Sequence, residues 1–171
     1  VSNPTKGFQF LNALREEAGA EITPISPASI RQALRRLRDG GVVFTGVDYP
    51  AGSGRIPLRF FGRTALLPTG HVRLALMSNA LLLVVFVLPR EGGGYTLHAL
   101  PPLELIRLDD RREEERVNAE RVLRLLEEWI GAHPEHWFMF LPVWPELLPA
   151  RYRRPEEGVH PVDAENTEKN A

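Results

Sequence analysis

The longest apolar stretch, residues 80–88, runs for nine residues and is rich in Leu, Val and Phe. A helix that crosses a bilayer needs about 18 to 20 such residues in a row. Nine of them, with this composition, match a strand buried on both faces, as in a parallel or mixed sheet flanked by helices. The run therefore predicts an α/β fold. A turn at Gly92-Gly93-Gly94 follows, and residues 95–100 alternate, so the two segments are expected to pair as a hairpin. A second core strand is expected at residues 42–47, which are β-branched or aromatic except for Gly46 and directly follow Gly40-Gly41.

Helices are expected on either side of these strands. Residues 4–18 carry apolar side chains at helical spacing and end at Gly19. Residues 27–39 are signalled more strongly: Ser26 can cap, Pro27 suits the first turn, and Ile30, Ala33, Leu34 and Leu37 form the buried stripe. Arg31, Arg35 and Arg38 lie on another face of this helix. Residues 69–78, capped by Thr69, and 109–132 complete the set. The chain of 171 residues has the length of one domain. We assign it to residues 1–151 and expect residues 152–171, which are polar, to form a disordered tail.

The absence of cysteine removes disulfides, thiolate nucleophiles and cysteine metal sites. His133 and His136 are the only closely spaced histidines and read as ordinary residues at a helix end, so no metal site is expected. No phosphate loop, dinucleotide fingerprint, nucleophile elbow or zinc helix motif occurs, and neither a cofactor nor a nucleic-acid partner is expected. The first residues lack the basic start and apolar core of a signal peptide.

Net charge is −1, yet residues 1–90 hold 11 bases and 5 acids whereas residues 91–171 hold 10 bases and 17 acids. From Arg55 to Arg73 there are four Arg, one His and no acid. Arginine pairs bidentately with phosphate and carboxylate, so this stretch suits an anionic ligand. The balancing charge comes either from the acidic helix at 109–128, which makes the patch structural, or from a ligand phosphate, which makes it functional. Asp48, at the C-terminal end of an expected strand, lies where α/β sheets build ligand sites.

The order of blocks from Asp48 onward is more specific. A helix ending in Arg38-Asp39-Gly40-Gly41 leads into Val42-Val43-Phe44 and Asp48, followed by a Pro/Gly-rich loop, Phe60-Phe61-Gly62, and Pro68-Thr69-Gly70-His71 opening a helix. Asn118, Trp129-Ile130 and Pro134-Glu135-His136-Trp137 come later. Together these blocks, over about residues 5 to 145, resemble the bacterial lipid A biosynthesis acyltransferases (late lauroyl/myristoyl transferases) and the related phosphatidylinositol mannoside acyltransferases of the lysophospholipid acyltransferase superfamily.

The resemblance implies transfer of a fatty acyl group from an acyl-carrier-protein or coenzyme A thioester to a hydroxyl of an anionic glycolipid or lysophospholipid. It implies peripheral attachment at the cytoplasmic face of the inner membrane. Asp48 and Gly52 would lie at the rim of the substrate site with Phe60, Phe61, Gly62 and Thr69, while Arg55, Arg59, Arg63 and His71 would offer cationic contacts. The family's His, four intervening residues and acid, which supply the general base, have no counterpart before Asp48. No catalytic residue is therefore assigned to this chain, which reads as the C-terminal half of an incomplete glycerolipid-acyltransferase-like domain and is expected to be inactive alone. The alternative is a non-catalytic lipid- or protein-binding module with half of an acyltransferase fold. Either way an uncovered sheet edge is expected, open to self-association.

Overall fold

Ser26 and Ser29 close the first turn of the most amphipathic helix in the chain. The Ser26 hydroxyl accepts from the Ser29 amide at 3.1 Å, and the Ser29 hydroxyl accepts from the Ser26 amide at 2.8 Å. This reciprocal capping satisfies two amides that would otherwise lack partners at a helix start. The computed structural model describes residues 6–23, 25–50 and 54–147. Within them the order is α1 (Lys6–Glu17), α2 (Pro27–Arg38), β1 (Arg55–Phe60), β2 (Arg63–Pro68), α3 (Gly70–Ser78), β3 (Val85–Pro89), β4 (Tyr95–Ala99) and α4 (Arg111–Ala132). Pro4 and the tail expected at 152–171 lie outside the described residues.

The mixed α/β class holds, with the strands arranged as two antiparallel hairpins, β1–β2 and β3–β4, rather than as one mixed sheet. The first hairpin was not expected. Arg55, Pro57 and Arg59 alternate outward while Leu58 and Phe60 point inward and are buried. Its turn is Phe61-Gly62, with φ of 49° and 72°. Two successive positive φ values define the two-residue turn whose twist matches paired strands. An aromatic residue rarely adopts that conformation, so the sequence carries no Asn-Gly signal there.

Residues 42–47 form no strand. Val42 is 64% exposed and Phe44 82% exposed, against the expectation of a core strand. The local propensity is right, but a ladder needs a neighbour, and none is present among the described residues. The expectation that residues 80–88 are buried on both faces is likewise corrected. Leu82 and Val84 are buried whereas Leu81 and Leu83 are exposed, because the core covers only one face of this segment, which pairs at Leu82 with Leu103. Phe86 continues the inner face and stacks on Trp129 at 4.2 Å with an 8° interplanar angle.

The core lies between the first hairpin, α3 and α4, where Leu58, Phe60, Leu67, Val72, Val122 and Leu123 are nearly or fully buried. Each such side chain contributes about 1.5–3 kcal/mol relative to exposure. Asp110 caps α4 by accepting from the Arg112 and Glu113 amides. Asn118, fully buried, fastens the strap before α4: its Oδ1 accepts from the Ile106 amide at 2.9 Å and its Nδ2 donates to the Ile106 carbonyl at 2.8 Å. No helix among the described residues is long and apolar enough to cross a membrane.

Candidate functional site

The first hairpin and the residues after α4 build one corner of the molecule. Phe60, Phe61, Trp137 and Trp144 cluster there, with Phe60 and Trp144 stacked at 5.6 Å and Phe60 and Trp137 edge-on at 6.0 Å. Trp137 follows the short 3-10 turn Pro134–His136, whose fixed geometry turns the chain back toward the hairpin. The indole of Trp137 donates to Asp48 Oδ2 at 2.7 Å. Asp48 therefore sits half-buried against the aromatic cluster, with one oxygen held and Oδ1 without a protein hydrogen bond among the described residues.

The acids of α4 meet the hairpin in an unexpected way. Glu120 Oε1 accepts from the Arg59 amide at 3.1 Å, and Glu127 Oε1 accepts from the Phe61 amide at 2.6 Å. The Arg59 amide faces away from β2, on the open edge of the hairpin, and the Phe61 amide lies in its turn, so Glu120 covers part of an edge that would otherwise seek another strand and Glu127 holds the turn. Glu120 Oε2 accepts from Arg116 at 2.9 Å, so both oxygens of Glu120 are engaged. The guanidiniums of Arg59 and Arg63 are left exposed, and among the described residues neither makes a hydrogen bond or ion pair. They line a shallow depression of about 300 Å³ with Thr64, Gly62, Arg116 and Glu120.

Arg116 was not singled out in the sequence. It bridges Glu113 and Glu120, one turn before and one turn after it on α4, and both contacts hold its guanidinium charged. The spacing of three and four residues carries that signal. The lining of the depression thus brings together Arg59, Arg63, Arg116 and Glu120, with Glu113 paired to Arg116 beside it and Glu127 at the hairpin turn.

The other expected site residues are distributed unevenly. Gly52 lies outside the described residues. Arg55 is exposed and donates to the Pro50 carbonyl at 2.9 Å, bracing its own loop. Phe60 is fully buried and belongs to the core, whereas Phe61 is 39% exposed. Thr69 is fully buried and stands at the start of α3, but its hydroxyl makes no capping bond there. It donates instead to Glu115 Oε2 at 3.1 Å, and Arg73 grips both oxygens of Glu115 at 2.8 and 2.9 Å. For Arg73 the balancing charge thus comes from the acidic helix.

His71 is 8% exposed and neither ring nitrogen has a hydrogen-bond partner among the described residues. Burial lowers its pKa to about 4, because the charged ring would lose its hydration without a compensating anion. Near neutral pH it is uncharged and interior, so it makes no cationic contact of the kind its position beside the arginines suggested. No group of three or more potential metal ligands occurs among the described residues.

The family follows from comparison with known sequences. The family model described as bacterial lipid A biosynthesis acyltransferase matches residues 6–146, and the chain belongs to that family. Two curated relatives, the phosphatidylinositol mannoside acyltransferases of Mycobacterium tuberculosis strains CDC 1551 / Oshkosh and ATCC 25618 / H37Rv, are each 27% identical to it over 144 residues. The matched region covers 82% of this chain and 44% of each relative, so the chain spans less than half the length of the curated relatives it matches.

Proposed function

We propose that this chain is the portion of a fatty-acyl transferase that positions an anionic substrate, and that Arg59 and Arg63 bind its phosphate. The reading takes acyl transfer from the family and the anionic ligand from the hairpin. The observation that carries it is that the carboxylates nearest the hairpin hold backbone amides and Arg116, leaving the side chains of Arg59 and Arg63, which line the same depression, exposed and unpaired among the described residues. Guanidinium groups placed in this way form charge-assisted bonds to phosphate oxygens.

In this proposal the acyl donor is an acyl-carrier-protein or coenzyme A thioester, and the acceptor is a hydroxyl of a phosphate-bearing glycolipid or lysophospholipid. A general base removes the acceptor hydroxyl proton, the oxygen attacks the thioester carbonyl, and the thiol leaves carrying a proton. This chain contributes no such base, so alone it has no transfer activity. Asp48 stands at the rim of the site, its free oxygen toward the substrate. The enzyme works as a peripheral protein at the cytoplasmic face of the inner membrane.

The experiment is substitution in a protein of the relatives' length. Loss of a charge-assisted bond costs about 1.5–3 kcal/mol, so Arg59→Gln and Arg63→Gln should each raise KM for a phosphate-bearing substrate by roughly 10- to 100-fold. The melting temperature should stay unchanged. Unchanged KM would remove the two arginines from the site. A protein that binds anionic lipid vesicles in a salt-sensitive manner but transfers no acyl group would instead be the non-catalytic module.

A further inference from the structure

The end of α2 carries a concentration of charge that the hairpin site does not use. Arg31, Arg35, Arg36 and Arg38 lie within its last two turns, all four are exposed, and among the described residues their guanidiniums make no hydrogen bond or ion pair. Arg31 and Arg35 are four residues apart and Arg35 and Arg38 three, spacings at which like charges on a helix repel. The helix dipole offsets part of that cost in the last turn only. Two acids stand close by: Asp39, the C-cap, and Glu21, which accepts from the side-chain amide of Gln32. Four guanidiniums against two carboxylates leave two positive charges uncompensated.

The backbone that ends the helix gives this charge a shape. Gly40 has a φ of 79° and donates to the Leu37 carbonyl at 3.2 Å, and the Gly41 amide donates to the Arg36 carbonyl at 2.7 Å. This pair of bonds folds the chain back over the last turn. Gly41 is thereby brought against Arg36, so closely that a methyl group on it would lie 2.5 Å from Arg36 Cγ. The stem of Arg36 is held between its own helix and the returning backbone. Gln32, Arg35, Arg36, Asp39 and Gly41 line the resulting shallow depression of about 340 Å³. Successive residues of a helix point about 100° apart, so Arg35 and Arg36 reach the depression from different sides.

We propose that this depression binds a phosphomonoester, held by the forks of Arg35 and Arg36 and attracted by Arg31 and Arg38. The ligand chemistry follows from the number of forks and the charge. A carboxylate offers one edge, which a single guanidinium fills. A phosphomonoester offers three terminal oxygens and a charge of about −2, so it accepts both forks and matches the two uncompensated charges. The same group ends soluble phosphorylated metabolites and the headgroup of phosphatidic acid, and the site reads the phosphate in either. This inference rests on α2 alone and does not depend on the phosphate contacts of Arg59 and Arg63.

The test uses the 171-residue chain carrying Arg59→Gln and Arg63→Gln, so that the hairpin contributes no binding. Glycerol 3-phosphate is titrated while the side-chain Nε–H signals of Arg35 and Arg36 are followed by NMR. Both signals should shift together and saturate. Arg36→Gln should weaken the affinity by roughly 10-fold or more with an unchanged melting temperature. Arg36→Lys keeps the charge without the fork and should recover only part of the loss. Flotation with vesicles containing phosphatidic acid or, at equal surface charge, phosphatidylglycerol distinguishes the two sources of the group. Preference for phosphatidic acid that Arg36→Gln abolishes supports the site with a lipid headgroup as ligand, whereas saturable glycerol 3-phosphate binding without that preference supports it with a soluble one. The proposal is overturned if neither probe engages Arg35 and Arg36. Full affinity in Arg36→Lys would overturn it as well, because charge alone would then be read.

Discussion

The indole nitrogen of Trp137 lies 2.7 Å from Asp48 Oδ2, a bond that closes 89 residues of chain. It joins the segment after α2 to the segment after α4, and its acceptor is a carboxylate, so it belongs to the stronger class of hydrogen bond.

Replacing Trp137 by Phe keeps most of the ring contact with Phe60 and Phe61 but removes the donor. We expect a loss of about 1–3 kcal/mol of unfolding free energy, measured in urea. Asp48→Asn retains an oxygen acceptor and should cost about half as much. If Asp48 also serves the substrate, Asp48→Asn in a protein of the relatives' length lowers kcat/KM by far more than its small stability change accounts for.

Asn118 is fully buried and uses both ends of its amide, bonding the Ile106 amide and carbonyl and the Glu114 carbonyl at 2.8–2.9 Å. Leucine at this position has nearly the same volume and leaves the Ile106 amide and carbonyl without the partners that Asn118 supplies. Asn118→Leu should therefore destabilise the chain by about 2–4 kcal/mol, since each stranded buried group costs about 1–3 kcal/mol. Faster amide exchange at Ile106 would locate the damage in the strap before α4. Unchanged exchange there would show that the strap is held by other contacts.

Glu115 supports Thr69, which is fully buried, and Arg73, whose side chain is 56% exposed. The two ends of this contact should behave differently. Arg73→Ala removes a solvent-screened pair and is expected to cost about 1 kcal/mol or less, with the cost shrinking in salt. Glu115→Ala also strands the Thr69 hydroxyl, and should cost about 1–3 kcal/mol with little salt dependence. Equal effects from the two substitutions would refute this partition.

The contrast between these contacts shows what the sequence can carry. The bounds of α2, α3 and α4 were legible because glycines and helical spacing are local signals; of the caps, Ser26 was read from the sequence and does cap α2, whereas Thr69 makes no capping bond at α3 and Asp110 emerges as the cap of α4 only in the fold. The Phe-Phe-Gly block was legible as a family feature, but not as a turn, because Phe61 at a φ of 49° violates the usual turn preference. The strand expected at residues 42–47 failed for the opposite reason. Its propensity is local, whereas pairing depends on a neighbour that local sequence cannot supply. At the site, the arginine-rich stretch was visible, but its neutralisation was not. Glu120 and Glu127 lie 61 and 66 residues from the hairpin amides they hold, and only the fold reveals that they hold amides instead of guanidiniums.

His71 gives the chain a pH dependence whose sign follows from its burial. Its folded pKa is lowered to about 4 from an ordinary value of 6.5, so between those values the unfolded chain binds the proton that the folded chain refuses. Unfolding free energy then rises with pH across this window, and the full contribution of the neutral ring is present above pH 6.5. Acidification from pH 6.5 towards 4 should remove up to about 3 kcal/mol, at 1.36 kcal/mol per pH unit, with no further loss from this group below that range. His71→Leu keeps an apolar side chain among Val72 and Ala75 and cannot titrate, so its stability profile should be flatter between pH 4 and 6.5. The measurement is urea unfolding of both proteins at matched pH values. A variant whose acid sensitivity equals that of the parent would show that the buried imidazole is not the group responsible.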